Sequence, residues 1–223
     1  MQKVLEANKV GYDLLFTLQK ANFINLEELQ QFFQDLPVDP YIKGSYRRRR
    51  LSRFSIVDGK VVKLPHGRLF QSKEYNPVVG DIHREFHEID DALVLHEDFA
   101  RLLLAFNDAC KLYSDSREIG VHQIRTTCSA TNFGNPAPEG IHRDGTDLIA
   151  IFSIGRQNVQ GGETHLYRSK KESPVFNKTL NPGELLLLND REFFHYTTPV
   201  KPLNDDTEGT RDVFVLTCPS LLS

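Results

Sequence analysis

Five β-rich segments follow one another in the second half of the chain, at residues 121–130, 147–154, 164–167, 184–188 and 212–218, each bounded by Gly, Pro, Asn or Asp clusters. Short strands in such a series, behind helices, predict an α+β chain whose C-terminal half is a β-sandwich or small barrel. The first half reads differently. Between residues 4 and 33 the apolar residues recur at helical spacing, Leu14, Leu15 and Leu18 in one stretch and Ile24, Leu26, Leu29, Phe32 and Phe33 in the next. Two short helices are expected there, with Asn25 and Glu28 placed as an N-cap and its acidic first turn. Prolines make residues 36–41 an irregular connection. The densest basic run, Arg47 to Arg50, precedes two β-rich pieces around Asp58-Gly59, the signature of a hairpin. Over residues 90–113, Leu93, Phe99, Leu102, Leu103, Phe106 and Cys110 lie three and four apart, which predicts the longest helix, packed on a sheet.

At roughly 150 residues per domain, 223 residues make one large domain or two small ones. No linker divides them, so one domain over 1–223 is expected, with 1–45 as its helical N-terminal part and 46–223 as the remainder. A net charge of −3 gives no global positive field to draw nucleic acid or an anionic membrane. The three cysteines, Cys110, Cys128 and Cys218, form no CxxC pair. Neither a zinc knuckle nor a disulfide framework is supported, and reduced, cytoplasmic surroundings fit best. The first twenty residues lack the uninterrupted apolar run of a signal peptide, and no segment approaches the ~20 apolar residues that cross a bilayer.

The chemistry-bearing constellation is His142-Arg143-Asp144 with His195 far downstream. Residues i and i+2 of an extended strand share a face, so the imidazole and the carboxylate can converge on one ion. A second histidine completes a 2-His-1-carboxylate triad, which leaves positions open for oxygen-activating Fe(II). Gly161-Gly162-Glu163-Thr164 opens a strand, Pro182-Gly183 turns into the buried run Glu184 to Asn189, His195 follows, and Arg211 lies at the start of a further β-rich segment. Blander readings compete for each: a surface turn at Asp144-Gly145, a core histidine beside Phe193 and Phe194, a strand-edge arginine paired with Asp212 or Glu208, and glycines that only mark a bulge. His83-Arg84-Glu85-Phe86-His87 is no HExxH zinc site, because Arg84 stands where the general-base glutamate belongs. The Arg47–Arg50 run is a nucleic-acid patch or, more ordinarily, ion-paired, and strand alternation can turn one or two of its members inward.

Residues 138–145, Arg156-x-Asn158-Val159-x-Gly161-Gly162-Glu163, the His195 segment and Arg211 together resemble the 2-oxoglutarate/Fe(II) dioxygenase family that includes bacterial amino-acid hydroxylases. Upstream, Phe70-Gln71-Ser72, Tyr75-Asn76-Pro77, Gly80 and Arg84-Glu85-Phe86 are similar as well. The resemblance implies a double-stranded β-helix (jelly roll, cupin-like) core buttressed by the N-terminal and central helices. It implies Fe(II) bound by His142, Asp144 and His195, and 2-oxoglutarate chelating the metal with its far carboxylate on Arg211. The reaction implied consumes O2 and 2-oxoglutarate, with ascorbate as the reductant in vitro, and hydroxylates an unactivated C–H bond. Asp144 favours hydroxylation over halogenation, because related halogenating enzymes carry a small residue there.

One departure stands out: relatives often place a serine two residues after the arginine, where this chain has Val213, so Tyr167 or Arg125 is expected to supply the second contact to the cosubstrate. The implied substrate is a free L-amino acid or similar small polar molecule. Arg125 or Arg143 is expected on its carboxylate, Glu139 or Asp147 on its ammonium, and Arg84 near the pocket. Two rivals stay open, a non-enzymatic cupin-like binding or sensor protein and an oxygenase of a protein or nucleic-acid substrate with a groove lined by Arg47 to Arg53.

Overall fold

In the computed structural model, which describes residues 15–223, the strands sort into two facing layers with helices on one side. In chain order the elements are β1 (Phe16–Lys20), α1 (Leu26–Gln30), β2 (Arg47–Val57), β3 (Lys60–Lys63), α2 (Asp91–Val94), α3 (Glu97–Tyr113), β4 (Glu118–Cys128), β5 (Leu148–Gln157), β6 (Val159–Gly161), β7 (Glu163–Tyr167), β8 (Phe176–Thr179), β9 (Glu184–Asn189), β10 (Phe194–Thr197), β11 (Val200–Pro202) and β12 (Gly209–Cys218). The major sheet runs β1-β9-β5-β12-β4-β2-β3, and the minor layer holds β10-β7-β8 with the short pair β11-β6. Every ladder is antiparallel.

Alternation along the major strands divides their side chains between two environments. Leu148, Ala150, Phe152 and Ile154 of β5, with Phe214 and Leu216 of β12, join Phe99, Leu102, Leu103 and Phe106 of α3 in the larger apolar core. Ile149, Ile151 and Val213 face the other way and meet Leu166, Leu186, Leu188 and Phe193 between the two layers. The helices therefore buttress one face of the major sheet, and the opposite face forms the inside of a double-stranded β-helix.

The Asp58-Gly59 hairpin forms as expected, both residues taking positive φ between β2 and β3. The predicted helix over 90–113 is interrupted: His96 is extended, and its Nδ1 accepts from the Asp98 amide, capping α3 as a helix separate from α2. The first predicted N-terminal helix is corrected. Residues 4–14 lie outside the described part, while Phe16–Lys20 is a strand lying along β9. Phe16 stacks against Phe176 and Phe193 while Leu18 stays exposed, so packing of Phe16 and pairing with β9 override the helical spacing of Leu14, Leu15 and Leu18. Among the described residues no helix is long and apolar enough to cross a membrane.

Candidate active site

His142 and His195 are brought together by a backbone bridge: each donates its amide to the other's carbonyl, at 3.1 and 2.8 Å. Their rings lie 4.3 Å apart, and Asp144 Oδ1 is 3.6 Å from His142 Nε2. Ligand-capable atoms of His142, Asp144 and His195 all lie within 4.8 Å of one another. His142 Nδ1 donates to the Gly140 carbonyl at 2.8 Å, which fixes its tautomer and leaves Nε2 free to ligate. Asp190, fully buried, accepts from the amides of Asp144, Gly145 and Thr146 and sits 3.7 Å from His195 Nδ1, pinning the turn that carries Asp144.

The electrostatics follow from this crowding. Burial pushes His195 down to about 3, helped by the neighbouring His142. For His142 burial acts in the same direction, but the Asp144 carboxylate outweighs it and pushes the ring up to about 9. Burial tends to raise Asp144, yet the histidines around it hold it below the ordinary carboxylate range. Burial together with the Asp144 charge pushes Asp190 up to about 7. Two imidazoles and one carboxylate converging from one side, with inner space beside them, form a donor set that suits Fe(II) with further ligands.

That space is a cavity of about 100 Å³ between the two layers, bounded by the triad, Arg211, Arg84, Glu139, Gln71 and His122, with Ile124, Ile149 and Val215 as apolar wall. Arg211 is 4% exposed, and burial pushes it down to about 10. It has no carboxylate within ion-pair distance among the described residues. In the ladder it stands between Thr126 of β4 and Arg156 of β5, and the Thr126 hydroxyl is buried without a partner. Gly162, at φ +67, packs against it: an added Cβ would lie 3.1 Å from Arg211 Cδ. That glycine therefore does more than mark a turn.

Arg84, 1% exposed, is the second cation of this kind. Its guanidinium donates to Gln71 Oε1 at 2.7 Å, no described carboxylate lies within ion-pair distance, and burial lowers its affinity for its proton. Gln71 in turn donates to Asp144 Oδ1 at 3.2 Å, linking Arg84 to the triad. Glu139 also faces the cavity, accepting from Asn76 Nδ2 at 3.2 Å and lying 3.9 Å from Arg47.

Four expected site residues do not reach the cavity. Arg125 sits between the inward Ile124 and Thr126, so it faces the helix side, where Asp212 accepts from its Nε and Nη2, both at 2.7 Å. Tyr167 lies on the outer face of β7, its hydroxyl hydrogen-bonded to His165 at 2.9 Å. Arg143, between the inward His142 and Asp144, stacks 4.2 Å over the Phe194 ring. Asp147 accepts from Ser114 Oγ at 2.6 Å and pairs with Arg191, away from the triad.

The arginine run is part of β2, and alternation turns Arg47 and Arg49 inward. Arg47 Nε donates to Asp39 at 2.8 Å; Arg50 and Arg53 donate to the carbonyls of Glu88 and Pro65. These arginines are engaged by the protein, and the open surface cavity that Arg49 and Arg50 border also carries Glu85, Glu88, Asp90 and Asp91. Sequence reasoning assigned no role to Asp39, Asn76, Gln71, His122 or Asp190, although Gln71 and Asn76 fall inside motifs already singled out. Asp190 ends the run begun by Pro182-Gly183, and its carboxylate was the available signal.

Residues 30–217 match the family model for 2OG-Fe dioxygenases. The chain is 27% identical over 207 residues to the 3(1)-hydroxy-L-isoleucine 4-dioxygenase of Pantoea ananatis (strain AJ13355), covering 89% of this chain and 83% of that one. It is also 27% identical over 228 residues to the L-isoleucine-4-hydroxylase of Bacillus thuringiensis, covering 97% and 93%. Its fold matches the crystal structure of a bsmA homolog from Methylobium petroleophilum PM1 with a TM-score of 0.77 at 31% identity, covering 87% of this chain and 80% of that one. With a match over most of its length, the chain belongs to the 2OG-Fe dioxygenase family and is an enzyme of that type.

Proposed function

We propose that this enzyme hydroxylates an unactivated C–H bond of a small zwitterionic substrate, a free L-amino acid. The observation that carries the reading is the pair of buried, carboxylate-free arginines, Arg211 and Arg84, on the same inner wall as the histidine–carboxylate triad. A charge removed from water and left unpaired costs several kcal/mol, so a ligand that brings the missing anion is the economical explanation.

In this reading His142, Asp144 and His195 hold Fe(II). When bound, the metal with 2-oxoglutarate and O2 supplies the oxidising chemistry, in which the cosubstrate becomes succinate and CO2 and the substrate gains one oxygen atom. Arg211 grips the far carboxylate of 2-oxoglutarate, since a guanidinium fork orients a carboxylate as well as binding it. Thr126, with its unpartnered hydroxyl beside Arg211, takes the second contact for which Tyr167 and Arg125 are out of position. Arg84 binds the carboxylate of the substrate and Glu139 its ammonium. Gln71, shared between Arg84 and Asp144, ties substrate position to the orientation of a metal ligand. The buried walls exclude water from the reacting centre.

The names of the two curated relatives, both acting on isoleucine or a hydroxy-isoleucine, support the amino-acid class. The inward or engaged arginines of β2 favour a small molecule over a nucleic-acid or protein substrate. The test is succinate production by the purified chain with Fe(II), ascorbate and 2-oxoglutarate, screened over the twenty common L-amino acids, citrulline and ornithine. At least one should raise succinate above the uncoupled level and gain the mass of one oxygen. No stimulation by any of them would refute the amino-acid reading.

A further inference from the structure

His122 stands on the inner face of β4, in the cavity wall with Arg84, and sequence reasoning assigned it no role. It is 8% exposed, and its two ring nitrogens are in different situations. Nδ1 is in contact with the Arg49 guanidinium, which is itself held by Asp39, 3.7 Å from Arg49 Nη1. Arginine offers only donors, so Nδ1 must be the acceptor. Burial and the surrounding cations, Arg49, Arg84 and Arg47, keep the ring from taking a second proton, although Asp144 acts the other way. The one ring proton therefore sits on Nε2. That atom is fully buried and has no partner among the described residues. Buried donors are rarely left unmade, because an orphan N–H forfeits its hydrogen bond to water without return.

Resting on the amino-acid reading above, we propose that His122 Nε2–H is the second donor to the substrate carboxylate, beside Arg84, and that the Asp39–Arg49 pair holds the ring in the donating tautomer. The arrangement is a specificity device. Arg84 alone offers positive charge to any anion; a fixed N–H beside it gives the second carboxylate oxygen its own donor, whereas a carboxamide, with one acceptor oxygen and an NH2, would set a donor against a donor. Leu51, the direct cross-strand partner of His122 on β2, is apolar, and cannot take the proton that Nε2 offers.

The test uses the enzyme loaded with Fe(II) and 2-oxoglutarate under anaerobic conditions, titrated calorimetrically with the amino acid that performs best in the screen and with its carboxamide. His122→Phe should weaken amino-acid binding by about 10- to 100-fold, the range for a hydrogen bond to a charged group. Carboxamide binding should change far less, so the acid-over-amide preference shrinks. Binding of 2-oxoglutarate should stay as in wild type, which also reports an intact fold. If the phenylalanine variant does not fold, two amides carry the comparison. His122→Gln reaches as far as Nε2 and should retain most of the affinity, whereas the shorter His122→Asn should lose it. Equal binding by wild type and His122→Phe, or by the glutamine and asparagine variants, would overturn the role of His122 while leaving the amino-acid reading intact. A wild-type enzyme that binds none of the amino acids sinks that reading, and this inference with it.

Discussion

Two arginines on adjacent strands, each at least four-fifths buried, make opposite statements. Arg125 of β4 meets Asp212 of β12 in a two-pronged ion pair on the helix side of the major sheet, with Asp212 fully buried. Arg211 of β12, one residue from Asp212 in sequence, turns to the inner side and meets no carboxylate among the described residues. The protein closes the first charge and leaves the second open. A satisfied buried ion is part of the scaffold; an unsatisfied one, in a cavity, marks where a ligand of opposite charge belongs. Arg84, whose guanidinium meets Gln71 rather than a carboxylate, extends the contrast within the same cavity.

The largest effect is expected where this contrast meets the metal. His142→Ala or Asp144→Ala should reduce substrate-stimulated succinate formation to background while circular dichroism remains that of the parent. Activity at the parent level in either variant would break the assignment of the triad. Arg125→Ala comes next. It strands Asp212 in the sheet, and denaturant titration should show a loss of about 3–5 kcal/mol, with the KM for 2-oxoglutarate of the folded fraction little changed. Arg211→Ala should do the reverse, raising that KM by about 100-fold, with a smaller loss of stability in the ligand-free protein than Arg125→Ala causes. Asp190→Asn weakens the acceptor that gathers the amides of residues 144–146, and should lower Fe(II) affinity about tenfold in equilibrium dialysis. Smallest is Thr126→Val, which removes one neutral hydrogen bond and should raise the KM for 2-oxoglutarate about fivefold.

Much of the fold and of the candidate metal site was legible because both depend on patterns carried along short stretches. The i, i+2 spacing of His142 and Asp144, the apolar run after Pro182-Gly183 and the turn dipeptide Asp58-Gly59 state their geometry locally. Errors gathered where a residue's direction depends on the parity of its strand. Arg125 lies between the inward Ile124 and Thr126, so alternation along β4 alone turns it outward, and Arg143 likewise lies between the inward His142 and Asp144. On β12 the parity runs unbroken, Arg211, Val213 and Val215 inward against Asp212, Phe214 and Leu216, so Arg211 was legible by alternation; the register shift beside Asp212 and Val213 is taken up on β5, between Ser153 and Gly155. Residues 16–20 were legible only through their partner, because an edge strand takes its period from the sheet it joins. His122 carried no local signal at all. Its role arises from Arg49 on the neighbouring strand β2, whose own holding residue, Asp39, lies in the irregular connection before that strand.

The most direct trial of the contrast is calorimetric titration of 2-oxoglutarate into the Fe(II)-loaded, oxygen-free wild type, Arg125→Ala and Arg211→Ala. An open charge that awaits the cosubstrate predicts one site per chain in wild type and Arg125→Ala, and severely weakened binding in Arg211→Ala. Unchanged binding in Arg211→Ala would contradict it.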